Sequence, residues 1–120
     1  MNSYHQSEQD YLESILMLSK ESQAVHRIEI AKRMNVSQAA VNKAVKLLLE
    51  KEYLYEEGKH LYLTTEGKIY AERVYETHCV VREFLQALGV SPAQAEEDAC
   101  KMEHLISQET LSAMQAFLKK

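Results

Sequence analysis

Apolar residues recur at helical spacing along most of this chain. The first stripe, Tyr11, Leu12, Ile15, Leu16 and Leu18, predicts a helix capped by Ser7 and running to about Lys20. After a polar break at Glu21–Ser22–Gln23, Ile28, Ile30, Ala31 and Met34 predict a short helix from Arg27 to Met34. Asn35 suits the left-handed residue that ends a helix. Val36 is expected to be buried in the turn, and Ser37 to cap a helix carrying Val41, Ala44, Val45, Leu48 and Leu49 to about Lys51. The period then changes to two. Tyr53, Leu54 and Tyr55 read as a strand, Glu56–Glu57–Gly58–Lys59 as a turn, and His60, Leu61, Tyr62 and Leu63 as the returning strand. Thr64 or Thr65 caps a long helix to about Leu88, with Gly67 in its first turn and Tyr70, Val74, Val81, Leu85 and Leu88 on one stripe. Gly89 ends it. Ser91 caps the next helix, with Pro92 at its first position, to about Ile106. Ser107 caps a last helix with Leu111, Met114, Phe117 and Leu118 inward. The expected fold is therefore mainly α with one β-ribbon, in one domain or two small subdomains sharing a core.

Composition narrows the function. Three Gly and one Pro in 120 residues argue against a turn-rich all-β protein and against a glycine-rich phosphate loop. No apolar run approaches a membrane span, so no membrane partner is expected. The start, Met1–Asn2–Ser3–Tyr4–His5, has neither a basic opening nor an apolar stretch behind it, and the expectation is a cytoplasmic protein without a signal peptide. The two cysteines, Cys79 and Cys100, then favour thiol chemistry or metal ligation over a disulfide. The net charge of −4 discourages a nucleic-acid partner until its distribution is considered. Residues 26–46 carry Arg27, Lys32, Arg33, Lys43 and Lys46 against Glu29 alone. That cationic island in an acidic chain marks a surface for an anionic partner.

The island coincides with two helices joined by the turn Asn35–Val36–Ser37–Gln38, the layout of a helix-turn-helix whose second helix enters the major groove N-terminus first. Gln38 and Asn42 can pair with adenine edges and Ala39 can touch a thymine methyl. Lys43 and Lys46 suit phosphates, as does the helix N-terminus that Ser37 opens. Arg27 and Lys32 belong to the same cationic surface. The ribbon that follows makes this a winged helix, with Lys59 and His60 near the wing tip. Taken together, pair, charge island and ribbon favour double-stranded DNA over a plain helical bundle.

A second constellation lies outside that unit. Cys100, Glu103 and His104 stand at i, i+3 and i+4, on one face of the helix expected there. Thiolate, carboxylate and imidazole together make half a transition-metal site. Asp10 and Glu13 sit at the edge of the first helix's apolar face, and His78 falls mid-helix between Val74 and Val81. Taken singly, each has a plain reading as solvated, capping or packed. Glu96 and Glu97 read as first-turn charges that favour the helix dipole. Three expected helices supplying ligand types raise the metal reading, because clustered carboxylates need a cation to offset repulsion and desolvation.

The sequence resembles the diphtheria toxin repressor family of iron- and manganese-dependent regulators. The stretches that carry the resemblance are Asp10–Tyr11–Leu12–Glu13, Ile30–Ala31–Lys32–Arg33 leading to Val36–Ser37–Gln38, Leu63–Thr64–Thr65–Glu66–Gly67, and Asp98–Ala99–Cys100–Lys101–Met102–Glu103–His104. The resemblance implies an N-terminal winged helix (residues 1–66) and a helical dimerisation and metal-binding domain (residues 67–120), with the first helix shared at the metal site. By position, the family's metal ligands fall on Asp10, Glu13, His78, Cys100, Glu103 and His104. The iron-type branch matches at Cys100, Glu103 and His104 but has methionine at the place of Asp10. Its second site uses a Glu and a His where this chain has Arg82 and Glu96. The manganese-type branch matches at Asp10, Glu13 and His78 but has glutamate at the place of Cys100; the resemblance to it implies a short form, expected to be without an SH3-like third domain. A thiolate in that hybrid set shifts preference from hard Mn²⁺ toward Fe²⁺, with Zn²⁺ or Co²⁺ able to bind in vitro.

The function implied is a homodimeric repressor of metal-homeostasis genes, with Fe²⁺ as favoured co-repressor and Mn²⁺ second, on a near-palindromic operator. It would be no enzyme and would have no small-molecule substrate. The residues leave open a winged-helix regulator that responds to a small molecule, or to thiol oxidation at Cys79 or Cys100, without metal. A small metal hydrolase is a further alternative, which a clamp of five or six protein ligands would leave little open coordination; a structural zinc site ranks above it, although Asp10 and Glu13 would be odd ligands for one.

Overall fold

In the computed structural model, residues 3–22 and 24–120 are described, with side chains described from residue 8 onward. The elements run α1 (Ser3–Glu21), α2 (Arg27–Met34), α3 (Gln38–Glu50), β1 (Leu54–Glu57), β2 (His60–Leu63), α4 (Thr65–Ala87), α5 (Pro92–Met102) and α6 (Gln108–Leu118). The chain divides into two compact units, Met1–Glu72 and Arg73–Lys120, with the boundary inside α4. The mainly helical fold class expected from the pattern is the one found, with a winged helix-turn-helix first and helices after it. No described helix is long and apolar enough to cross a membrane.

In the first unit α1 packs on α2, α3 and β2. Its predicted stripe is buried throughout, with Leu12 and Ile15 fully inside. Ile30, Val41, Val45, Leu48, Leu54 and Leu61 complete this core, each contributing about 1.5–3 kcal/mol through burial of a side chain. α1 begins at Ser3, ahead of the Ser7 expected to cap it, and Gln23 of the polar break lies outside the described residues. Val25, which the pattern did not single out, is also buried. It bridges to Leu61, with Leu61 N–H donating to the Val25 carbonyl at 2.8 Å, and ties the segment before α2 to the wing.

The helix-turn-helix forms with its predicted caps. Asn35 is left-handed (φ 55°, ψ 51°), and the Ser37 hydroxyl accepts from Ala40 N–H at 3.1 Å. Two expectations fail here. Val36 is 37% exposed rather than buried. Its N–H bonds back to the Ala31 carbonyl at 3.1 Å, closing the turn through the backbone and leaving the side chain outward. Ile28 is also exposed, because two residues along a helix is roughly 200° of rotation and Ile30 takes the inward face.

The wing is a two-stranded antiparallel ribbon with Leu54 opposite Leu63, Tyr55 opposite Tyr62 and Glu57 opposite His60. Glu56 and Glu57 therefore belong to β1, and only Gly58–Lys59 turn, with Gly58 at φ +61°. Tyr53 falls outside the strand. Its carbonyl accepts from Thr64 N–H at 3.0 Å, and the Thr64 hydroxyl donates to the Glu52 carbonyl at 2.7 Å while accepting from Gly67 N–H at 3.0 Å. Thr64 thus caps α4. A Cβ on Gly67 would stand 1.9 Å from the Tyr53 carbonyl oxygen, so only glycine permits this approach. A polar set joins α1 to the end of α3 and to α4: Glu8 pairs with Lys51, the Tyr70 hydroxyl donates to Glu8 at 3.2 Å, and Gln9 donates to Tyr70 at 3.2 Å.

The second unit comprises the later part of α4 with α5 and α6. Val80, Val81, Ala95, Ala99 and Leu111 are buried in it. Gly89 (φ +103°) ends α4, Ser91 caps α5 with Pro92 in its first turn, and Ser107 caps α6. Leu88 and Phe117, expected inward, are 59% and 49% exposed. Both lie at C-terminal ends, beyond the small core, although Phe117 sets its ring edge against Phe84 at 5.3 Å. α5 stops at Met102, short of the predicted Ile106. Leu105 N–H turns back to the Met102 carbonyl at 3.0 Å, and the chain must extend to place Ser107 as the cap of α6.

Candidate metal centre and DNA-reading surface

The short α5 changes the predicted ligand face. Cys100 is in the last turn of α5 and Glu103 is its C-cap, still bonded from its N–H to the Ala99 carbonyl at 2.9 Å. His104 falls in the turn beyond the helix, so the three do not form one continuous helical face. Glu103 and His104 remain neighbours, with His104 Nε2 3.5 Å from Glu103 Oε1 and both side chains almost wholly buried.

His78, buried on α4, lies between two carboxylates. Its Nδ1 is 3.0 Å from Glu103 Oε2 and its Nε2 is 2.8 Å from Glu96 Oε2. The contact to Glu103 outweighs burial and, with Glu96, pushes the imidazole up to about 9. Yet Nδ1 and both Glu103 oxygens lack a partner in hydrogen-bond geometry, so that contact is an ion pair and leaves the carboxylate's lone pairs unmet. A buried carboxylate without donors is costly unless its charge is compensated. Imidazole nitrogens and carboxylate oxygens beside a thiol are also the donor set that a divalent transition ion takes. The residues therefore fit a metal.

Glu96 is the residue sequence reasoning misjudged. Neither it nor Glu97 is a first-turn charge, because α5 begins at Pro92 and its first turn holds no acid; Glu96 instead meets His78, accepts from Arg82 at 3.3 Å, and accepts from the Cys100 thiol at 3.7 Å. Burial alone would raise its carboxyl, but His78 and Arg82 outweigh that and hold it low. His78, Glu96 and Cys100 each place a ligand-type atom within 4.8 Å of the others. The i, i+4 spacing of Glu96 and Cys100 was the available signal. Asp10 and Glu13 are half-buried on α1 in the first unit. Cys79 is half-buried, and neither cysteine is in a disulfide.

On the first unit, Ser37, Gln38, Ala39, Asn42, Lys43 and Lys46 are all exposed along the opening and outer face of α3, and Lys32 is exposed on α2. Lys59 is exposed at the wing tip. His60 is half-buried, its ring edge-on to His26 at 4.6 Å. Arg27 is ion-paired with Glu56 at 2.6 Å and holds that carboxyl below its usual range. Tyr55 and Tyr62 stack across the ribbon at 5.2 Å.

A winged helix-turn-helix in one unit and a buried carboxylate–imidazole cluster in the other define the class: a DNA-binding transcriptional regulator with a metal-binding part, not an enzyme. Residues 4–61 match the iron dependent repressor N-terminal DNA binding domain, and residues 64–120 match the iron dependent repressor metal binding and dimerisation domain. The chain belongs to the iron-dependent repressor family, the diphtheria toxin repressor family of the sequence resemblance. It is 38% identical over 112 residues to the transcriptional regulator MntR of Escherichia coli O6:H1, covering 92% of this chain and 72% of that one. Among solved structures, the manganese regulator SloR superposes with a TM-score of 0.81 at 29% identity, covering 93% of this chain and 53% of that one. ScaR with bound Zn²⁺ does so at 0.78 and 28%, with the same coverages. The chain spans about half the length of these solved relatives.

Proposed function

We propose that this chain is a metal-activated transcriptional repressor that acts as a cytoplasmic homodimer on a near-palindromic operator, with Fe²⁺ favoured and Mn²⁺ second. The observation that carries the reading is the donorless, buried carboxylate of Glu103 beside His78, in a chain whose other unit presents a recognition helix. The ion would be held by His78, Cys100, Glu103 and His104, with Asp10 and Glu13 of the first helix completing the set as the resemblance implies. When bound, it would supply the positive charge that these carboxylates need. Residues 1–66 would then read DNA, and residues 67–120 would bind metal and pair the subunits. Gln38, Ala39 and Asn42 would meet base edges, while Ser37, Lys43, Lys46, Lys32, Arg27, Lys59 and His60 would meet the backbone. The thiol of Cys100 supports Fe²⁺ over Mn²⁺.

The test is binding to a DNA duplex selected from a random pool by the metal-loaded protein, measured anaerobically with chelator and then with Fe²⁺, Mn²⁺ or Zn²⁺. Affinity should rise about 5–150-fold with metal, the range of a coupling of about 1–3 kcal/mol. Equal binding in all samples would remove the metal switch.

A further inference from the structure

His78 offers two nitrogens, and a metal-bound imidazole uses one while the other keeps its proton and gives it to an acceptor. The choice lies between Nδ1, which faces Glu103 at 3.0 Å, and Nε2, which faces Glu96 at 2.8 Å. The surroundings of the two carboxylates differ. The Glu103 side chain is 1% exposed and neither oxygen has a hydrogen-bond donor. That of Glu96 is 49% exposed, and its Oε1 already receives the Arg82 guanidinium at 3.3 Å. A carboxylate paired with a fixed guanidinium is the poorer cation ligand, since a second cation there meets like-charge repulsion. It remains a strong acceptor for a ring N–H. The Cys100 thiol reaches the same Oε2 at 3.7 Å. The Nε2–Oε2 contact at 2.8 Å is the shorter of the two.

We propose that Glu96, anchored by Arg82, is the positioning residue of the metal centre: it accepts the Nε2–H of His78 and thereby presents the Nδ1 lone pair on the Glu103 side. Arg82 to Glu96 to His78 is then an outer chain that fixes ring orientation and tautomer and raises the basicity of the ligating nitrogen. The inference rests on the metal-dependent reading above.

The experiment uses the full chain, stripped of metal and titrated with Zn²⁺ against a chromophoric chelator. Long-range ¹H–¹⁵N correlation of the imidazoles is recorded on the Zn²⁺-loaded protein. Wild type should show His78 metallated at Nδ1 and protonated at Nε2. Glu96→Ala should bind Zn²⁺ about 10–100-fold more weakly. Glu96→Gln should fall between the two, because its amide oxygen accepts the same bond without the charge. Wild-type affinity in Glu96→Ala, or a His78 metallated at Nε2, would overturn the positioning role; the second result would make Glu96 a metal ligand in place of Glu103. A wild type that takes up no Zn²⁺ would overturn the metal reading and this inference with it.

Discussion

A carboxylate as deeply covered as Glu103, with His78 and His104 beside it, is tolerated only because positive charge is near. Two predictions belong to this scale. Glu103→Gln should leave the chelated protein folded, since it removes a buried charge without changing shape, but it should abolish stabilisation by metal. In wild type, Zn²⁺ at a hundred times its dissociation constant adds about 2.7 kcal/mol, read as a rise in melting temperature that the variant should lack. Cys100→Ala should likewise keep the fold, because the residue is exposed, while weakening activation by Fe²⁺ in the DNA-binding assay. A variant that responds to Fe²⁺ as wild type does would remove Cys100 from the ligand set.

Among the elements, α3 carries the recognition chemistry and depends on its ends. The hydroxyl of Ser37 satisfies Ala40 N–H, so Ser37→Ala should cost about 0.5–2 kcal/mol in chemical denaturation. Asn42→Ala, on an exposed position, should leave stability unchanged and relax discrimination at one base pair by about 1–3 kcal/mol, measured with single-substituted duplexes. At the wing's base, Gly67 faces the Tyr53 carbonyl so closely that any Cβ displaces backbone. Gly67→Ala should therefore destabilise the first unit by about 1–3 kcal/mol, seen as a lower denaturation midpoint. Most of these element-level features were legible in the chain, because caps, turns and periodicity act within a few residues. Asn35, Ser37, Thr64, Gly89 and Ser107 each serve as the pattern implied. The end of α5 was not legible: continuing the helix to Ile106 satisfies local spacing, yet the helix stops at Met102 and the chain turns there, with Leu105 N–H on the Met102 carbonyl.

For the molecule as a whole, Leu88, Leu105 and Phe117 are exposed in the unit that matches a dimerisation domain. Leu105, at 65% exposed, is the most exposed of them and tests whether this unit pairs subunits there. Leu105→Lys should shift the sedimentation of the protein toward a monomer without lowering its helix content. An unchanged sedimentation coefficient would place the subunit contact elsewhere.

Read alone, the order of residues determined the helices and the ribbon of the described residues, the cationic outer face of α3 and the kinds of ligand available, since each depends on spacing of one turn or one pleat. Tertiary structure alone decided which groups meet. It set Glu96 on His78, drew Val25 onto the wing and turned Val36 and Ile28 outward. The physical reason is that a side chain's partner across elements is chosen by packing between distant segments, and spacing along the chain carries no record of that choice.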